Sequence, residues 1–156
     1  MFKPRVSEFP ACKAAASGWK DGFAGVLDFM GAWVNGEETG SPFVNPDFLC
    51  FDAPMKFMWM VLLPDGETDA RGFELTDFSG GLYVSAIAIN DDTDDLLKTI
   101  DNLLNWVNGQ ANFEADFRPG RYRMTRRFTT DASVETWERS LGYGQLEVFI
   151  PVRVTG

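Results

Sequence analysis

The sequence predicts an α+β fold made of two tandem β-α-β-β repeats, related by a pseudo-twofold axis and joined through an antiparallel sheet. Three observations predict it. Two amphipathic stripes, Phe23, Leu27, Met30, Val34 and Leu96, Ile100, Leu103, Val107, recur at helical spacing. Both close on the same word, Trp33-Val34-Asn35-Gly36 and Trp106-Val107-Asn108-Gly109, where Asn-Gly stops a helix. Each stripe also has one strand-like piece before it and two after it, and the last strand of each half ends alike, Met60-Val61-Leu62-Leu63-Pro64 against Glu147-Val148-Phe149-Ile150-Pro151. Independent landmarks repeating in one order argue for a duplicated unit, and two copies are too few for a solenoid.

The elements follow in chain order. Ala11 to Ser17 reads as the first strand and Lys20 to Val34 as the first helix. Asp47 to Phe51 and Lys56 to Leu63 are the next two strands, and Pro64 to Gly81 connects the halves. Leu82 to Ile89 opens the second half, and Thr93 to Val107 is its helix, with Leu97 and Leu104 widening the stripe. Arg121 to Phe128 and Gln145 to Val152 complete it. The expectation is a single domain over 1–156, with repeats at about 1–66 and 74–156. Asp91, Asp92, Asp94 and Asp95 cluster like metal ligands, but the turn glycine and distal glutamate of a calcium loop are missing. Their place before the second stripe makes them helix caps, and no metal or other cofactor is expected.

Composition narrows the function. Fourteen Lys and Arg against 23 Asp and Glu give a net charge of −9, a poor match for nucleic-acid phosphates. The 156 residues include no histidine, which excludes Ser-His-Asp and Cys-His catalysis and histidine metal sites. Cys12 and Cys50 read as small apolar residues. The first 18 residues lack the apolar core of a signal peptide, and the longest apolar run, Phe57 to Leu63, is far short of a membrane span, so a cytoplasmic protein with no membrane contact is expected.

The final strands carry the functional clue. Leu146, Val148 and Ile150 form one face of the last strand, leaving Glu147 and Phe149 on the other. In the first half Trp59, Val61 and Leu63 oppose Met58, Met60 and Leu62, so both faces are apolar. A soluble protein does not leave Met58, Met60, Leu62 and Phe149 bare; a ligand, a second subunit or its own loops must cover them. Tyr83 and Tyr122 offer a ring and a hydroxyl, Trp33 and Trp106 end their helices, and Trp137 and Tyr143 lie in a long connection suited to ligand contact. Arg118, Arg121, Arg123, Arg126 and Arg127 concentrate basic charge, with Arg121, Arg123 and Arg127 expected on a solvated or salt-bridged outer face.

Phe48-Leu49-Cys50-Phe51-Asp52-Ala53-Pro54, Gly80-Gly81-Leu82-Tyr83, Leu103-Leu104-Asn105-Trp106 and the closing Leu146 to Val152 together make the chain resemble the gyrase-inhibitor-like (GyrI-like) domains, also known as effector-binding domains of bacterial multidrug-responsive transcription activators. Gly120 departs from the pattern, standing two positions before Tyr122 where the family often has Glu. Strand-like sequence begins within the first dozen residues, so a stand-alone module without a helix-turn-helix is expected. The resemblance implies a cleft between repeats that binds hydrophobic aromatic small molecules, including cations, for sensing, sequestration or detoxification. Its expected lining is Met60, Leu62, Tyr83, Trp106, Tyr122, Trp137, Glu147 and Phe149. Some similar proteins hydrolyse strained cyclopropanoid compounds, and in that reading Glu147 is the catalytic carboxylate acting on water. The family's namesake implies a third role, an acidic surface that binds gyrase or a regulator, with a homodimer or partner protein covering the apolar face.

Overall fold

Among the described residues, apolar side chains on both sides of the strands produce one ten-stranded antiparallel sheet with one buried cluster on one face and two on the other. The structure is a computed structural model that describes residues 2–33, 47–52, 55–127 and 140–155. The strands are β1 (Arg5–Phe9), β2 (Cys12–Ala16), β3 (Lys20–Asp21), β4 (Asp47–Asp52), β5 (Lys56–Leu62), β6 (Glu74–Phe78), β7 (Gly81–Ile89), β8 (Phe113–Ala115), β9 (Arg123–Arg127) and β10 (Gln145–Val154). The helices are α1 (Leu27–Trp33), which follows a 3-10 turn at Phe23–Val26, and α2 (Thr93–Asn108). Among the described residues, no helix is long and apolar enough to cross a membrane.

The sheet order is β1-β7-β10-β9-β4-β5-β2-β6, with β3 on β5 and β8 on β10. About the central β9-β4 pair, β10 and β7 on one side answer β5 and β2 on the other, so each unit contributes its strands in the same sequence. Outside them the strands change places: β1 pairs with β7 of the later unit, and β6 pairs with β2 of the earlier one. Six inter-strand steps of ~4.8 Å would put β1 and β2 almost 30 Å apart in a flat sheet. Pro10 and Ala11, the two residues joining them, reach only about 10 Å. The sheet therefore curls until its edges approach, which gives it an inner face and an outer, helix-bearing face.

The outer face packs on the helices. Val84, Ala88, Val148, Ile150 and Val152 meet Ile100, Leu103 and Val107 of α2. Asp92 caps α2 by accepting from the Asp95 N–H at 2.9 Å, and Asp95 accepts from the Ile89 N–H at 2.7 Å, which accounts for part of the acidic cluster. Leu97 does not widen the buried stripe and is exposed. Helix α1 departs further from expectation. Lys20 and Asp21 pair with Phe57 and Lys56 as a strand, and Gly22 at φ 81° breaks the chain before the 3-10 turn, so the helix starts at Leu27 and not at Lys20. Its buried side is Val26, Phe29 and Trp33, while Phe23 and Leu27 face outward. The larger aromatic pair wins the buried side because the inter-repeat connection supplies partners for it: Phe73 meets Phe29 edge-on at 4.9 Å, and the Arg71 guanidinium lies 4.0 Å from the Trp33 ring centre. Val34, Asn35 and Gly36 lie outside the described residues.

Candidate functional site

The inner face gathers Ala14, Ala16, Phe48, Cys50, Met58, Met60, Leu62, Phe78, Tyr83, Met124 and Phe149 into one buried cluster. Phe9, half-buried, packs against it, its ring meeting Phe48, Phe78, Tyr83 and Phe149 at centroid distances of 5.5, 6.2, 5.2 and 5.6 Å, all edge-on. Much of the cover over Met58, Met60, Leu62 and Phe149 thus comes from the chain itself, through the curl of the sheet and the arrival of β1. Burial also pushes the Cys50 thiol far up and the Tyr83 phenol to about 12, so Tyr83 stays a neutral donor. The Tyr83 hydroxyl is buried and has no hydrogen-bond partner among the described residues.

The sequence-predicted site residues divide accordingly. Met60, Leu62, Tyr83 and Phe149 share the inner cluster, and Tyr122 packs at its margin, edge-on to Trp19 at 5.4 Å. Glu147 lies on the same face as Phe149, because its neighbour Val148 points to α2. Trp106 is not brought to this face; it packs on the helical side, stacked on Phe113 at 6.5 Å. Trp137 lies outside the described residues.

Glu147 is the polar centre of this face. Its residue surface is only 5% exposed, and its Oε1 accepts a hydrogen bond from Ser85 Oγ at 2.7 Å. Arg126 stands opposite it in the β9-β10 register. Burial lowers the Arg126 pKa, against the opposing pull of the Asp47 and Glu147 carboxylates. Asp47, whose own carboxyl is raised by burial, accepts from Trp59 Nε1 at 3.0 Å. Ile87, across from Glu147 on β7, is half exposed, so this end of the inner face is its wetter end.

At the other end Arg121, expected on a solvated or salt-bridged outer face, is salt-bridged but buried. Its Nε donates to Asp116 at 3.2 Å, and its terminal nitrogens donate to the carbonyls of Gly80, Leu82 and Val152. The guanidinium also lies 4.5 Å from the Tyr83 ring centre. Gly81, at φ 106°, is required here because a Cβ would come within 2.6 Å of Arg121 Nη1. Arg118 holds Asp116 from outside through Nε at 2.7 Å and Nη2 at 2.8 Å, and these bonds first of all depress the Asp116 carboxyl to about 2. Phe9, Ser85 and Arg121 carried no periodic signal in the sequence. The Gly80-Gly81 pair was the one visible trace of the arginine beneath it.

No protein-family model matches the chain, and no curated protein matches it. Its fold is shared with solved structures at low sequence identity. SAV2435 bound to tetraphenylphosphonium is 12% identical, with TM-score 0.55 over 97% of this chain and 94% of that one. A hydrolase from Listeria innocua is 12% identical, with TM-score 0.65 over 97% and 92%. The C-terminal domain of EcmrR is 13% identical, with TM-score 0.63 over 98% of both chains, so the α+β architecture read from the repeats is that of these proteins.

Proposed function

We propose that this protein binds lipophilic aromatic small molecules at the Glu147 end of its inner face, and that the carboxylate favours organic cations. The observation that carries the reading is Glu147 itself, a carboxylate nearly excluded from water beside the aromatic cluster, hydrogen-bonded by Ser85. A buried anion is costly unless positive charge or donors compensate it; Ser85 and the opposing Arg126 supply part of that compensation, and a desolvated cation beside the carboxylate adds to it. The solved SAV2435 structure, bound to a lipophilic aromatic cation, supports the same reading by fold. Phe9 supplies part of the cover over the apolar face from within the chain.

The test is a titration of tetraphenylphosphonium against neutral triphenylphosphine oxide, followed by tryptophan fluorescence and calorimetry. One unit charge at ~6 Å in an effective dielectric of about 20 contributes almost 3 kcal/mol, and partial solvation reduces it. Glu147→Gln should therefore weaken the cation by about 1–3 kcal/mol and the neutral analogue much less. If both affinities stay put in the folded variant, the site is elsewhere. Hydrolysis is the second reading, favoured by the same water-poor carboxylate and by the shared fold of the Listeria hydrolase. It requires turnover of a strained electrophile that falls in Glu147→Gln far more than substrate affinity does.

A further inference from the structure

We propose a second ligand site, for planar aromatic carboxylates, in the pocket of about 400 Å³ between Trp19, Phe117, Tyr122 and Arg123. The volume suits a ligand of one or two fused rings. Four aromatic residues, Trp19, Phe51, Phe117 and Tyr122, line it, and Trp19 and Phe117 present exposed ring surface. Its charge is opposite to that of the chain as a whole. Arg118, Arg121 and Arg123 all line the pocket, and the acids beside them are Asp52 and Asp116.

The arginines are not equivalent. Arg121 has its donors directed at Asp116 and three backbone carbonyls, and Arg118 grips Asp116 with two nitrogens. One carboxylate thus serves two guanidinium groups. Arg123 instead lies over the Phe117 ring at 4.8 Å and makes no ion pair among the described residues. A guanidinium presented on an aromatic face is a fork for a carboxylate whose own ring continues the stack. Arg123 and Arg126 mark different ends of β9, about 10 Å apart along the strand, and Arg123 pairs in register with Phe51 while Arg126 pairs with Glu147. An aromatic anion repelled by Glu147 would be received at the Arg123 end, so the two sites sort ligands by sign of charge.

The experiment uses 2-naphthoate and 2-naphthamide as probes of the intact chain at low salt, read by Trp fluorescence and calorimetry, with tetraphenylphosphonium as the reference ligand. Naphthoate should bind at least about tenfold tighter than the amide, and Arg123→Gln should erase that preference. Equal affinity for the two probes overturns the proposal, as does a preference that survives Arg123→Gln. If Arg123→Gln does not fold, Trp19→Leu removes an exposed ring and should weaken both naphthyl probes about tenfold; no change there overturns the site as well. Tetraphenylphosphonium binding without naphthoate binding refutes this site while leaving the Glu147 reading intact, and the converse refutes the Glu147 reading alone.

Discussion

Replacing Arg121 with Met keeps a chain of similar length under Tyr83 and removes every polar contact that the guanidinium makes. The loss comprises a buried ion pair with Asp116 at 3.2 Å and hydrogen bonds to carbonyls from the β6-β7 link, β7 and β10. Breaking a buried pair from one side costs about 3–5 kcal/mol. Asp116 would still be held by Arg118, which moderates the charge term, but each carbonyl left dry adds about 1–3 kcal/mol unless water reaches it. We expect a net loss of about 3–5 kcal/mol. In urea, with a slope of about 2–3 kcal/mol/M, the unfolding midpoint read by tryptophan fluorescence should fall by about 1–2 M. Arg118→Met is the control: it removes the exposed arginine on the same carboxylate and the bonds that chiefly depress it, but leaves no carbonyl unpaired, so its midpoint should fall by clearly less than that of Arg121→Met. A loss below about 1 kcal/mol for Arg121→Met, or equal shifts in the two variants, would show that the buried guanidinium is not what ties these three segments together.

Phe9→Ala should cost about 3 kcal/mol, measured by the same denaturation, because the half-buried ring packs against four others of the inner cluster. Gly80→Ala should lower the yield of folded protein or cost upwards of about 2 kcal/mol, since φ is 65° and the added Cβ would meet the Phe9 carbonyl and stand 2.7 Å from Ala11 N. The Asp116 carboxyl lies below its unfolded value near 4, at about 2, so its contribution is fully present above about pH 4 and is lost as pH falls through about 2. Thermal unfolding of wild type and Asp116→Asn across that range should converge at the acid end. A gap that is constant with pH would refute the assignment.

The strand pattern was legible because burial on both faces leaves a doubly apolar run. Met58, Met60 and Leu62 against Trp59, Val61 and Leu63 separated correctly into inner and outer sides. Helix α2 was legible because its cap and stripe agree. The phase of α1 was not, since Phe23, Leu27, Val26 and Phe29 offer two apolar stripes, and only tertiary partners such as Phe73 choose between them. The site was half legible. Glu147, Tyr83 and Phe149 follow from alternation along a strand, whereas Trp106 stands on a helix whose rotation places it on the other side of the sheet. Arg121 was placed on a solvated or salt-bridged outer face, and its burial was not legible, because nothing local distinguishes an arginine held by remote carbonyls from one in water. Phe9 was missed for a related reason: Arg5, Ser7 and Phe9 share a face, and that face reads polar until the chain returns at Tyr83.

The exchange of outer strands between the two units bears on how the chain reaches this state. Arg5 pairs with Ser85, and Phe9 with Gly81, so these contacts span about half of the chain. Meanwhile β2 waits for β6, which lies beyond its own unit. Such distant pairings pay loop-closure entropy before any contact rewards it, and they slow folding relative to a chain of equal length with neighbouring hairpins. Neither unit expressed by itself would own a complete set of strand partners: the first would leave β1 without β7, and the second would leave β6 without β2. The duplication visible in the sequence therefore does not divide the molecule into two self-sufficient modules, and the aromatic interior under Phe9 is complete only when strands of both units are in place.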